Sequence, residues 1–134
     1  MTFDERSEAT DRVLVVGCMQ NIPETLKSRA ECHPFCEDAN AGCAQLLENQ
    51  FDCVIVLADP SHKDSIKELE EVSVLAREQG TPLFSVAVFN PKWIYNLMEQ
   101  LGVVAHFTTF PNHGQIAEML AEMRQSSNEQ YGVD

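Results

Sequence analysis

Residues 51–60, FDCVIVLADP, constrain the fold more than any other stretch. Cys53 to Leu57 are consecutive apolar residues, mostly β-branched or large, with Asp52 before them and an Ala-Asp-Pro turn signal behind. So short a run without polar alternation predicts a strand buried on both faces, as in a parallel sheet with helices on either side. Doubly wound folds place their chemistry at the carboxyl ends of such strands. The functional question therefore falls on Leu57, Ala58 and Asp59, where an aliphatic side chain stands in the place expected for a reactive group.

The remaining elements alternate around this strand. Arg12 to Val16 reads as a first buried strand ended by Gly17, and Ile22 to Ala30 as a short helix with Pro23 in its first turn. Pro34 restricts ECHPFCED to an edge strand or irregular extension. Residues 39–49 predict a small-residue helix with Ala39, Cys43, Leu46 and Leu47 on one face. Ser61 caps a helix running to about Gln79, with Leu69, Val72 and Ala76 inward and Gly80 as its stop. LFSVAV after Pro82 is the fourth strand; Asn90 and Pro91 then serve as cap and first helical residue. Ile94, Leu97 and Leu101 recur at core spacing, VVAHFTT is the fifth strand, and Ile116, Met119, Leu120 and Met123 stripe a last helix over 113–125. Five alternations of strand and helix predict a three-layer α/β architecture with a parallel sheet.

One domain is expected over 12–125, with a flexible tail at 1–11 and a tail or linker start at 126–134. No apolar run approaches the roughly 20 residues of a membrane helix. The acidic, polar start MTFDERSEAT lacks the regions of a signal peptide, so a cytoplasmic location is expected. The net charge of −12 opposes binding to nucleic acid or anionic lipid. Five cysteines, three of them (Cys18, Cys43, Cys53) in apolar or small-residue contexts, suggest packed, reduced thiols rather than a disulfide framework.

RVLVVGCMQN, FDCVIVLADP, TPLFSVAV and the Gly102-led VVAHFTTFP are spaced like the first, third, fourth and fifth strands of the receiver domains of bacterial two-component response regulators, which the chain resembles over about residues 12–125. The resemblance implies a flavodoxin-like sheet in the order 2-1-3-4-5, a phosphorylation site at its carboxyl edge, and signalling through the fourth helix, fifth strand and fifth helix. The family's magnesium-binding acids fall on Gly17 and Cys18, its phosphoryl-accepting aspartate on Leu57, its hydroxyl residue on Ala87 and its lysine on Phe110. None of those functional groups is present. Phosphoryl transfer needs a nucleophile with magnesium and cationic groups to spread the charge, and magnesium wants oxygen ligands. Asp59 alone is a weak site, so the chain resembles a pseudo-receiver. The family's proline after the fifth strand follows a cis bond. Phe110–Pro111 is accordingly expected in cis, with Phe110 filling a collapsed pocket beside Leu57 and Ala87.

Other chemistries fit less well. GCMQNIPE has one glycine and no hydroxyl residue, which argues against a flavin or nucleotide phosphate loop. In an extended segment, residues four apart such as Cys32 and Cys36 are separated by about 13 Å, too far for one zinc; only a tight turn at His33-Pro34, with a fourth ligand from Cys18 or Cys43, would join Cys32, His33 and Cys36, which read instead as an edge-strand thiol and a surface histidine. No basic sequence neighbour activates Cys18. In the fourth helix Tyr95 and Glu99 lie opposite the core stripe with Trp93 and Met98 at its borders, while Ala117 and Ala121 face outward in the fifth helix and His106 joins from the fifth strand. These residues are expected to form a face for homodimerisation or a protein partner. No enzyme activity, cofactor or metal is expected; a small-ligand or thiol-redox sensor using the pocket near Cys18 is the alternative.

Overall fold

The computed structural model of the protein describes residues 12–18, 34–36, 38–59, 63–87 and 91–132. The chain divides into two compact units, Arg12–Phe110, which holds the sheet, and a second that holds the last helix. The strands are β1 (Val13–Cys18), β2 (Phe35–Cys36), β3 (Cys53–Ala58), β4 (Leu83–Ala87) and β5 (Ala105–Phe107). They form one sheet in the order β2-β1-β3-β4-β5, and every pairing is parallel. This is the expected α/β, flavodoxin-like topology. The described helices are α1 (Ala39–Glu48), α2 (Lys63–Glu78), α3 (Lys92–Gln100) and α4 (His113–Gly132). The helix read as the fourth is α3 and that read as the fifth is α4, because Ile22–Ala30 lies outside the described residues, as do the 1–11 tail, Ser61 and Asn90.

The unalternating strands are buried as their composition requires: every residue of β3 and of β4 is buried. Register and alternation sort them by face. Leu14, Val16, Val54, Val56, Ala58, Leu83 and Ala87 share a core with Ala39 and Leu46 of α1, Leu69, Val72 and Ala76 of α2, and Ile94 and Met98 of α3. Val13, Val15, Ile55, Leu57, Phe84 and Val86 point the other way and are equally buried.

Caps fix the helix ends. The Asp38 carboxylate accepts a 2.8 Å bond from the Ala41 N–H at the start of α1. Both α2 and α3 end on a glycine with positive φ, Gly80 at 71° and Gly102 at 81°. In each case the next N–H reaches back five residues, Thr81 to the Ala76 carbonyl and Val103 to that of Met98. That pattern satisfies carbonyls the helix leaves open, and glycine alone enters it without strain. Arg77 of α2 adds a 2.8 Å bond from Nη2 to the Leu101 carbonyl, joining two helix ends. In α4's unit Asn112 and Gln115 cap each other, each backbone N–H donating to the other's side-chain oxygen at 2.9 and 2.8 Å.

Several sequence expectations are corrected. β1 runs through Gly17 to Cys18, because Gly17 pairs with Leu57 and Cys18 with Ala58. Leu47 is 71% exposed; the inward stripe of α1 is Ala39, Gly42 and Leu46. Pro91 is the cap itself, extended at ψ 160°, and the helix begins at Lys92. Met98 lies four residues after Ile94 and follows it into the core, which leaves Leu97 and Leu101 half-buried. β5 is only three residues long, with Thr108 and Thr109 exposed beyond it. The last helix, α4, runs on to Gly132, since SSNEQY before it holds no proline or glycine to stop it.

Candidate functional site

At the carboxyl edge of the sheet, the middle of the row is Leu57. It pairs with Gly17 of β1 on one side and with Val86 of β4 on the other, and is fully buried. Position 57 is therefore inside, and an aliphatic group satisfies it without a hydrogen-bond partner. Gly17 is buried and brings no side chain. Cys18 is the last residue of β1; its side chain lies outside the described residues.

Ala87 is also fully buried, but its register partner is Ala58. By strand alternation Leu57 and Ala87 therefore leave the sheet on opposite faces, and Ala87 joins the core with α1, α2 and α3. The expectation of one apolar pocket holding both is corrected accordingly. Asp59 follows β3 directly and is half-buried.

Phe110 is buried at 4% exposure, as an apolar side chain in place of a charged one should be. Pro111 is buried too, but the Phe110–Pro111 bond is trans, against the expected cis. Trans is the lower form of an X–Pro bond by about 0.5–1 kcal/mol.

The candidate partner residues separate. Trp93 and Tyr95 of α3 are 46% and 48% exposed, and Val104 before β5 is 47% exposed. Met98 is buried in the core, which removes it from a docking face. Ala121 is exposed and Ala117 half-buried on α4, in the other unit. His106 on β5 is held from two sides. Its Nδ1 lies 2.6 Å from Oγ of Ser85, its register partner on β4, and the Tyr95 ring meets it edge-on at 5.3 Å and 88°. Burial lowers the His106 pKa from its ordinary 6.5. Sequence reading missed Ser85; the signal was a hydroxyl in an otherwise apolar strand, which once buried requires a hydrogen-bond partner.

Among the described residues no group of His, Cys, Asp or Glu side chains could hold a metal ion. Cys36 and Cys53 are buried and Cys43 is half-buried; Cys32 and His33 lie outside the described residues. Burial, and then the Asp38 carboxylate, raises the Cys36 pKa; burial, and then Glu71, raises that of Cys43. Both thiols therefore resist becoming the reactive thiolate. No helix among the described residues is long and apolar enough to cross a membrane.

No family model and no curated protein sequence matches the chain. Solved structures do match. A CheY-like response regulator receiver domain protein from Methanospirillum hungatei is 16% identical with a TM-score of 0.63, over 90% of this chain and 98% of that one. A response regulator from Burkholderia multivorans is 12% identical with a TM-score of 0.59, over 86% and 96%. The receiver domain of the histidine kinase CKI1 from Arabidopsis thaliana, a complex with Mg2+, is 16% identical with a TM-score of 0.54, over 84% and 91%. A de novo designed Rossmann 2x3 protein matches as well, at 15% identity and a TM-score of 0.53 over 87% and 91%. The chain shares the receiver fold, and a fold shared with a designed protein does not by itself carry a function.

Proposed function

We propose that the chain is a phosphorylation-independent signalling domain of the receiver type, a protein-interaction module rather than an enzyme. The observation that carries this reading is the fully buried Leu57 set between Gly17 and Val86 at the carboxyl edge of the central strand. A phosphoryl acceptor there would need an oxygen nucleophile and magnesium held by further oxygens. Gly17, Leu57, Ala87 and Phe110 supply no carboxylate, hydroxyl or ammonium group. A domain that keeps the fold without this chemistry retains its surfaces as the means of signalling.

Those surfaces are α3 with β5, and α4, acting through homodimerisation or through a protein partner. Exposed Trp93 and Tyr95 support the choice of α3, since aromatic residues are enriched at the energetic centres of interfaces. The ligand- or redox-sensor alternative depends on Cys18, and no observed geometry favours it. Intact mass after incubation with acetyl phosphate and magnesium tests the proposal. An unmodified chain is expected, and a stoichiometric phosphoryl adduct that vanishes in Asp59→Asn would overturn it.

A further inference from the structure

We infer that α1 and α2 carry a second docking surface, which takes a basic amphipathic helix of a partner protein. Leu47 and Val74 are its apolar contacts, and Glu48, Glu70, Glu71 and Glu78 form its acidic rim. It adds to the surfaces proposed on α3, β5 and α4 and depends on none of them.

Leu47 is 71% exposed and Val74 51% exposed, so the core uses neither side chain. Two links lay their helices side by side. The Glu71 carboxylate acts on the Cys43 thiol, and Gln79, just past α2, donates a 2.8 Å bond from Nε2 to the Leu46 carbonyl. The C-terminal turns of α1 and α2 are therefore neighbours. Leu47 comes four residues after Cys43 and shares its flank of α1, the one toward α2. Leu75 comes four residues before Gln79 and is half-buried on the flank of α2 toward α1. Val74 stands on the outer crest of α2, opposite the buried Leu69, Val72 and Ala76.

Charge selects the occupant. The neighbours of Val74 three and four residues away on α2 are Glu70, Glu71, Arg77 and Glu78, all exposed. The one base among them is turned elsewhere, since Arg77 Nη2 donates to the Leu101 carbonyl. Glu48 follows Leu47, and the last turn of α1 holds no basic residue. Both helices end here, and helix C-termini add negative potential. Apolar contacts inside an acidic rim, along two adjoining helices, suit a helix whose apolar stripe runs between lysines or arginines. A second copy of this chain, at net charge −12, would bring charge of the same sign.

The test is an NMR titration of the isotope-labelled full chain with a synthetic helical peptide that carries leucines at i, i+4 and i+7 flanked by lysines. Amide shifts are expected to centre on residues 43–48 and 70–78, and binding to weaken as salt rises. Leu47→Ser and Val74→Ser are each expected to weaken it about tenfold. Both positions are exposed, so both variants should fold as the wild type does. An absence of shifts, shifts centred elsewhere, equal binding of a peptide with glutamates for its lysines, or an affinity unmoved by both substitutions would overturn the inference. The same amides shifting with the chain's own concentration, without peptide, would overturn it in favour of a second copy. Tyr95→Ala is expected to leave this binding unchanged, so this surface and the one on α3 can fail separately.

Discussion

Gly42 of α1 approaches Val16 of β1 so closely that a Cβ on the glycine would stand 2.6 Å from one Val16 methyl carbon and 2.9 Å from the other. Because both methyls are in the way, rotating the valine does not clear the space, and Val16 is fully buried. Gly42→Ala must push the helix off the sheet and is expected to cost about 1–3 kcal/mol, the usual range for overpacking, despite alanine's better helix propensity. Urea denaturation measures it; a stabilised variant would show that α1 lies farther from β1.

Restoring an aspartate at position 57 is expected to harm the protein without restoring phosphorylation. Leu57 is fully buried, and Gly17 beside it offers no metal ligand. An uncompensated buried charge costs about 3–5 kcal/mol. Burial raises the aspartate pKa in the folded state, so above the unfolded value of about 3.9 the native state binds more protons than the unfolded one. Stability of Leu57→Asp relative to wild type should therefore improve as pH falls from 7 toward about 4. Equal stability at both ends, or a phosphoryl adduct in this variant, would contradict the account of the edge.

Tyr95→Ala should leave the fold within about 0.5 kcal/mol, as exposed positions usually do, while weakening self- or partner association. Ala117→Arg tests α4 in the same way. Sedimentation and pull-down provide the readout, with thermal melting as the control. Association unchanged in both variants would remove these surfaces from the proposal.

Much of this fold is readable in short-range chemistry. The run at 53–57 announces a strand buried on both faces, and Gly80 and Gly102 mark two helix ends, because each feature depends on few neighbours. Errors arise where packing decides. Leu47 and Met98 exchange their expected places because a stripe's direction depends on what the helix lies against, and in α1 close approach favours Gly42 over a larger residue. The loss of chemistry at Leu57 is visible from residue type alone. The link from Ser85 to His106 is not, because it joins residues 21 apart through strand register.

The His106 site also predicts how stability depends on pH. Burial holds its folded-state pKa below the ordinary 6.5. As pH falls through 6.5, the unfolded chain takes up this proton before the folded one, so more protons are bound unfolded and stability rises with pH across the window. The site's contribution is therefore complete above that value, declines as pH falls through it, and levels off below the folded pKa. His106→Asn keeps an oxygen acceptor for Ser85 but does not titrate. The other three histidines are the same in both proteins, so the difference between wild type and His106→Asn isolates this site. Urea midpoints across the window should show wild type losing ground to the variant as pH falls. A difference that stays flat, or that moves in wild type's favour at low pH, would mean that His106 accepts its proton in the folded protein without cost.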